Sequence, residues 1–177
     1  MNFACFVLPI DLSNSIHFII KDYSQMDHII IERADKKYID SIAEFQIKMA
    51  METEQMQLDR DTVQKGVRRM FDEPERGFYM VARNDLDELV GSLLILKEWS
   101  DWRNADVWWI HSVYIVPGMR GKGIFTNLYE RIKEMASQEK VKGLRLYVDK
   151  QNFHAQKIYH KLGMTNQHYE MFEMMLL

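Results

Sequence analysis

The chain has 177 residues and a net charge of −3, and 47% of its residues are hydrophobic while 28% are charged. This length is enough for one well-buried domain and short for two ordinary ones, and the charge balance, without a basic stripe, argues against a nucleic-acid-binding surface. The single cysteine, Cys5, excludes a disulfide framework, and the sequence has no C-x-x-C or H-E-x-x-H spacing that would indicate a metal.

The N-terminal residues differ in pattern from the rest of the chain. We expect residues 1–28 to be an extension outside a core domain of residues 29–177, with at most an added strand at 16–20. The apolar patch at 3–10 lacks the basic region of a signal peptide, and no apolar run reaches the roughly 18 residues of a membrane span. We therefore expect a cytoplasmic protein without a membrane partner.

Two amphipathic helices are predicted after a short core strand at 29–31. Asp35 can cap the first helix, and Asp59 or Asp61 can begin the second. The residues that recur on the inward face of the first helix are Ile39, Ile42, Ala43, Gln46 and Met49. Those of the second helix are Val63, Val67, Met70 and Phe71.

The methionine-rich, acidic segment at 49–56 has two interpretations. It is either a solvated helix end that uses methionine as core filler, or a loop that covers a substrate. In the second case Glu52 or Glu54 would meet a cationic group of the substrate.

An antiparallel meander is predicted where the apolar period changes to two residues. Strands at 78–82 and 89–96 are joined by a polar turn at 84–88, and residues 98–104 form the next connection. The third strand, at 105–116, would span about 40 Å at roughly 3.3 Å per residue, so we expect a bulge or bend within it.

The stretch at 113–126 has the pattern of a strand, a turn and a helix start. Gly121 and Gly123 lie where the helix opens with unpaired backbone N–H groups, and Arg120 and Lys122 add positive charge. This pattern favours a phosphate or pyrophosphate ligand. The spacing is not that of a P-loop, and the dinucleotide fingerprint would need glycine at position 126, which holds threonine.

A further strand and a short helix complete the pattern. Gly143 precedes an alternating strand at 144–148, which the intervening helix would place parallel to the third strand. Asn152 can cap a short helix that Gly163 closes, and 164–177 has the pattern of one or two strands. The element order predicts an α/β protein with a mixed sheet.

Two motifs resemble those of the GNAT superfamily of N-acetyltransferases, and the resemblance covers residues 29–177. Arg120–Phe125 is similar to the family's acyl-coenzyme A pyrophosphate loop, although Phe125 stands where the family has glycine or alanine. The second motif, which is similar to the family's strand, Asn, Ala, Tyr and Leu-Gly-Phe series, consists of Leu146–Asn152, Ala155, Tyr159 and Leu162–Met164. Residues 98–114 also resemble an uncharacterised bacterial subgroup. The resemblance implies the GNAT fold, a mixed, mostly antiparallel sheet with a splayed parallel central pair, flanked by helices.

The resemblance also implies acetyl-coenzyme A (acetyl-CoA) as the cosubstrate and no metal. Backbone groups of the third strand would hold the pantetheine arm, and the glycine loop would hold the diphosphate. Asn152 would bond the pantetheine amide region and cap its helix. The residues implied in cosubstrate binding are Val113, Tyr114, Ile115, Arg120, Gly121, Lys122, Gly123, Ile124, Phe125, Thr126 and Asn152.

Acetyl transfer to an amine needs a proton acceptor and a group that meets the departing thiolate. His111 lies where many members of this family carry an acidic residue, and it is either that base or a core histidine satisfied by a neighbour. Tyr159 matches the family's tyrosine near the coenzyme sulfur, or is a helix tyrosine packed on the core. Weaker candidates for accepting the proton or orienting the substrate are Ser112, Glu52, Glu54 and Glu98.

The four tryptophans between positions 99 and 109 form either core and oligomer surface or an aromatic acceptor pocket.

Two functions stay open. One is acetyl transfer to a primary amine of a small molecule or peptide. The other is a non-catalytic acyl-CoA sensor or interaction module, since position 111 has no carboxylate. Exposed tryptophans and a methionine-rich C-terminal strand would also favour a homodimer.

Overall fold

The computed structural model describes residues 28–176, so the expected extension at 1–28, apart from His28, and its suggested strand lie outside the described residues. The helices and strands are β1 Ile30–Arg33, α1 Ile39–Glu54, α2 Arg60–Asp72, β2 Gly77–Arg83, β3 Leu89–Ser100, β4 Ala105–Ile115, α3 Ile124–Gln138, β5 Leu144–Arg145 and α4 Phe153–Lys161. Short 3₁₀ turns lie at 36–38 and 117–119.

The strands form one sheet in the order β1-β2-β3-β4-β5. All neighbours are antiparallel except β4 and β5, which are parallel because helix α3 carries the chain back between them. This confirms the predicted α/β class and the mostly antiparallel sheet with a parallel pair.

Helices cover both faces of the sheet. Leu128 and Ile132 of α3 are fully buried in one apolar cluster with Trp108 of β4. On the opposite face, Ile42 of α1 and Val67 of α2 are buried with residues of β2. Burial of each such large apolar side chain contributes about 1.5–3 kcal/mol, so the sheet is held between two apolar layers.

The two N-terminal helices begin where the sequence predicts. The Asp59 carboxylate accepts a hydrogen bond from the Thr62 backbone N–H at 2.8 Å, which caps α2. Asp35 accepts from the Lys37 N–H at 2.9 Å and begins the 3₁₀ turn that leads into α1. The buried side of α1 also includes Phe45, which the helical pattern did not count.

The predicted irregularity of the long third strand is confirmed as a bulge in β4. Ser92 of β3 pairs with Tyr114, but Leu94 pairs with His111, so β4 has one residue more than β3 between these pairs. Ser112 takes up the extra length with a φ of 50°, a left-handed conformation that is uncommon outside glycine.

Two strand predictions differ from the structure. β5 spans only Leu144–Arg145 instead of 144–148, and residues 164–176 contain no strand, so that prediction is wrong for the described tail. Among the described residues, no strand lies beside the outer edge of β5. An alternating pattern forms a strand only where a neighbour takes its backbone groups and buries one face, and the large apolar side chains of the tail from Tyr169 onward are exposed.

Candidate functional site

The parallel strands β4 and β5 separate after a short contact. Trp108 pairs with Leu144 and Trp109 with Arg145, and over residues 28–176 no further pair joins the two strands. From Ile110 to Ile115 this edge of β4 therefore faces an opening, which is the splay that the resemblance implies. Val113, Tyr114 and Ile115, expected to bind the cosubstrate, lie along this opening.

The glycine turn at the end of β4 has an open, left-handed backbone. Gly121 and Gly123 have φ values of 76° and 78°. A Cβ built at either position would meet no atom within 4 Å. The positive φ angle therefore favours glycine here, and a lack of space for a side chain does not. The turn is thus shaped by its own residues while the space beside it stays free.

Six successive backbone N–H groups, those of residues 121–126, have no acceptor among the described residues. The last three belong to the first turn of α3, and the Gly123 N-cap has no side chain to bond them. Free donors and the positive end of a helix dipole attract an anion. The donors present here fit a diphosphate.

Phe125 does not leave the helix start unpacked. Its ring lies edge-on to Tyr159 of α4, with ring centroids 5.5 Å apart, and 6.3 Å from the ring of Tyr129. The side chain therefore fills the junction between α3 and α4, while its backbone N–H stays free.

Arg120 is held by three neighbours. Its Nε donates to the Ile115 carbonyl oxygen at 2.8 Å, and its Nη2 donates to the Glu52 carboxylate at 2.6 Å. Its guanidinium lies 5.5 Å from the centre of the Tyr114 ring. Lys122 is nearby in sequence, and its ammonium lies 3.6 Å from the Met119 sulfur.

Glu52 lies in the last turn of α1, within the segment for which two interpretations were open. Residues 49–54 are helical, and the carboxylate bonds Arg120 and also accepts from the Tyr114 hydroxyl at 2.9 Å. The Arg120 hydrogen bond lowers the pKa of Glu52, while burial, with help from Glu52, raises the pKa of Tyr114 to about 12. The structure thus joins Glu52 to the glycine turn. Glu54 is exposed, and its carboxylate forms no hydrogen bond or ion pair with another described residue.

Tyr159 and Asn152 lie on α4. The Asn152 side chain accepts from the Ala155 N–H at 3.0 Å, as predicted for a cap. Tyr159 is half-buried against Phe125, and burial raises the pKa of its phenol. Its hydroxyl has no hydrogen-bond partner within residues 28–176, so it is free to meet a ligand.

His111 lies on β4 just before the bulge at Ser112. Its Nδ1 is 3.4 Å from the Tyr147 hydroxyl, and the two rings meet edge-on at 5.2 Å. Burial lowers the pKa of His111, which favours the neutral imidazole at pH 7. Sequence reasoning did not single out Tyr147, although its place in the alternating run at 144–148 puts it on the same face as Arg145.

Glu98 and the tryptophans divide between two environments. The Glu98 carboxylate accepts from Trp109 Nε1 at 2.7 Å and from Arg145 at 2.9 Å, so its charge is paired. Trp108 is fully buried, whereas Trp99 and Trp102 are exposed. The four tryptophans therefore belong partly to the core and partly to the surface. The ring centroids of Trp109 and His111 are 6.1 Å apart.

The described residues include neither a candidate membrane span nor a candidate metal cluster. No helix there is both long and apolar enough to cross a membrane. The same range holds no cluster of three or more His, Cys, Asp or Glu side chains suited to a metal ion.

Comparisons with known proteins identify the family. The model of the acetyltransferase (GNAT) family matches residues 39–164. A possible acetyltransferase from Clostridium difficile 630 is 38% identical, with a TM-score of 0.77, and the match covers 84% of this chain and 98% of that one. The chain therefore belongs to the GNAT acetyltransferase family.

Two more distant structures share the fold. A predicted acetyltransferase with acetyl-CoA from Clostridium acetobutylicum has 16% identity and a TM-score of 0.66, over 82% of this chain and 96% of that one. Ribosomal-protein-alanine N-acetyltransferase from Brucella melitensis biovar Abortus 2308 has 14% identity and a TM-score of 0.69, over 84% of this chain and 99% of that one. A search of curated proteins found no match.

Proposed function

We propose that this protein transfers an acetyl group from acetyl-CoA to a primary amine by direct attack of the amine. The observation that carries the proposal is the run of N–H groups at 121–126, which have no acceptor within residues 28–176, beside the opening between β4 and β5. Membership of an acetyltransferase family and a structural neighbour described with acetyl-CoA support it.

The chain would hold acetyl-CoA at both ends of this opening. The N–H groups of 121–126, with Arg120 and Lys122, would bind the diphosphate. The exposed edge of β4 at 113–115 would bond the pantetheine arm as another strand would, and Asn152 would bond its amide region. When bound, the thioester supplies an activated acetyl carbon. No metal has a part in this proposal.

The acceptor amine must lose a proton before or during attack. An alkylamine with a pKa near 10.4 costs about 4.6 kcal/mol to deprotonate at pH 7. His111 would accept this proton, directly or through water, because burial keeps the imidazole neutral. Tyr147, in contact with Nδ1, would hold the ring in place, and Ser112 at the bulge is a weaker candidate for orienting the amine.

Tyr159 would stabilise the departing thiolate. Full proton transfer from a phenol of pKa near 10 to a thiolate of pKa near 8.5 is uphill by about 2 kcal/mol. Burial raises the pKa of Tyr159 further. The hydroxyl therefore acts mainly by donating a hydrogen bond to the sulfur as charge develops there.

The acceptor would be a small-molecule or peptide amine, and the protein would act in the cytoplasm. A homodimer is proposed as well, and light scattering tests it. Glu98 is paired with Arg145, so that pair would contact the acceptor as a neutral unit and not as a free anion.

The proposal is tested in two steps. Isothermal titration with CoA and acetyl-CoA measures binding, and no binding at millimolar ligand would overturn it. A screen of an amine library with acetyl-CoA then follows release of the free thiol. Binding without thiol release for any amine would favour a non-catalytic acyl-CoA sensor instead.

A further inference from the structure

The Glu52 carboxylate lies at the meeting point of three elements. It comes from the last turn of α1, accepts from Tyr114 at the end of β4, and pairs with Arg120 of the glycine turn. Glu52 and Arg120 are 68 positions apart in sequence, so the fold and not local sequence brings them together. About half of the Arg120 side chain and 38% of the Glu52 side chain are exposed.

The same arginine directly precedes the glycine turn that would bind the diphosphate. A guanidinium has five N–H donors in a fixed plane. Nε is bonded to the Ile115 carbonyl, which fixes the plane of Arg120 against β4, and Nη2 is bonded to Glu52. The Glu52 carboxylate thus already offsets the positive charge of a guanidinium that could attract the diphosphate.

We propose that Glu52 is a positioning residue that holds Arg120 through its carboxylate and competes with the diphosphate of CoA for this guanidinium. The inference depends on the proposed function, because it assumes that CoA binds at residues 120–126. Substrate and product carry the same diphosphate, so Glu52 lowers the affinity for both. When the Glu52 carboxylate pairs with Arg120 again, it favours dissociation of the product CoA.

The substitution Glu52→Gln removes the negative charge of the side chain but can keep its hydrogen bonds. The glutamine carbonyl oxygen can still accept from Arg120 Nη2 and from the Tyr114 hydroxyl, but the competing negative charge is gone. Competition predicts that CoA binds about two- to fivefold more tightly, the range expected for an exposed ion pair. A purely structural role of Glu52 predicts the opposite sign, because weaker support of Arg120 would weaken binding.

Glu44→Gln is a matched control. Glu44 lies on the same helix, is similarly exposed at 35% and pairs with the guanidinium of Arg60. The change in net charge is the same, but Glu44 is two helical turns away from Glu52, about 12 Å along the axis, which exceeds the ~8 Å screening length at physiological salt. Its CoA affinity should equal that of the wild type.

The experiment is a titration calorimetry cycle with CoA on the full chain, using wild type, Glu52→Gln, Glu44→Gln, Arg120→Met and Glu52→Gln/Arg120→Met. We expect Glu52→Gln to tighten binding in the Arg120 background and to have a smaller effect in the Arg120→Met background, where only direct repulsion between the carboxylate and the diphosphate is removed. The KM for acetyl-CoA should fall in Glu52→Gln and stay unchanged in Glu44→Gln.

Three results would overturn the inference. Equal or weaker CoA binding by Glu52→Gln rejects competition, and so does a gain of the same size in the Arg120→Met background. In both cases the proposed function stands if the wild type binds CoA. Absence of CoA binding by the wild type overturns the proposed function and this inference together.

Discussion

At the scale of single residues, the proposed chemistry depends on two side chains that burial keeps uncharged. Burial lowers the pKa of His111 and raises the pKa of Tyr159, so the first stays neutral and the second keeps its proton near pH 7. One can therefore accept a proton while the other donates a hydrogen bond. Neither needs a charged partner among the described residues for this assignment.

Tyr159→Phe should leave CoA affinity unchanged and lower kcat about 100-fold, near the low end of acid–base effects. The ring that packs on Phe125 is kept, and only the hydroxyl is lost. Titration calorimetry and thiol-release kinetics measure the two quantities. Tyr129→Phe, which removes another hydroxyl next to Phe125, is the control. Equal kinetics for the two variants would remove Tyr159 from the mechanism.

The pH profile of kcat/KM should report His111. As the pH falls, protonation of the imidazole removes the base and activity declines, and because burial lowers the pKa, the midpoint should lie below the usual 6.5. His111→Gln should lower activity and abolish this acidic limb. The exposed His154 provides a control, since His154→Gln should keep the profile. An unchanged limb in His111→Gln would assign the base to another group.

At the scale of elements, the bulge and the glycine turn could both be predicted, because each leaves a local mark in the sequence. A strand of about 40 Å is too long to stay regular, which indicates a bulge. Two glycines before a helical pattern indicate a turn at the start of a helix. The Glu52–Arg120 pair left no such mark, since α1 and the turn are distant in sequence. The strand prediction for the tail is wrong over residues 164–176, because no neighbouring strand among the described residues pairs with this alternating pattern.

Gly123→Ala should lower the free energy of unfolding by about 1 kcal/mol and weaken CoA binding at least tenfold. The built Cβ meets no atom, so the cost is that of a left-handed conformation and of misdirected N–H groups. Gly66→Ala is the control, since this helical glycine is also uncrowded and alanine should stabilise α2 by up to about 1 kcal/mol. Urea titration and calorimetry measure both effects. Unchanged CoA affinity in Gly123→Ala would contradict the assigned loop.

At the scale of the whole molecule, the part of the chain described after position 28 forms two apolar clusters and a five-stranded sheet that begins with β1. The family model likewise matches within this part of the chain, at 39–164. The core domain predicted at 29–177 therefore contains every residue assigned to the site.

A chain of residues 29–177 should fold and bind CoA with the affinity of the full chain. Each buried cluster and the glycine turn are kept, and the loss of His28 removes one exposed contact with Asp85. Circular dichroism and calorimetry on both chains make the comparison. An unfolded or non-binding shorter chain would show that residues 1–28 belong to the domain.

The position of Phe125 has a consequence for how the two ends of the opening communicate. Its backbone lies in the first turn of the helix that would bind the diphosphate, and its ring is the surface on which Tyr159 packs. A nucleotide such as ADP, which has a diphosphate but no thioester, should therefore perturb the aromatic resonances of Tyr159 in an NMR titration. Occupancy of the nucleotide end would in this way be sensed at the sulfur end through a single benzyl group.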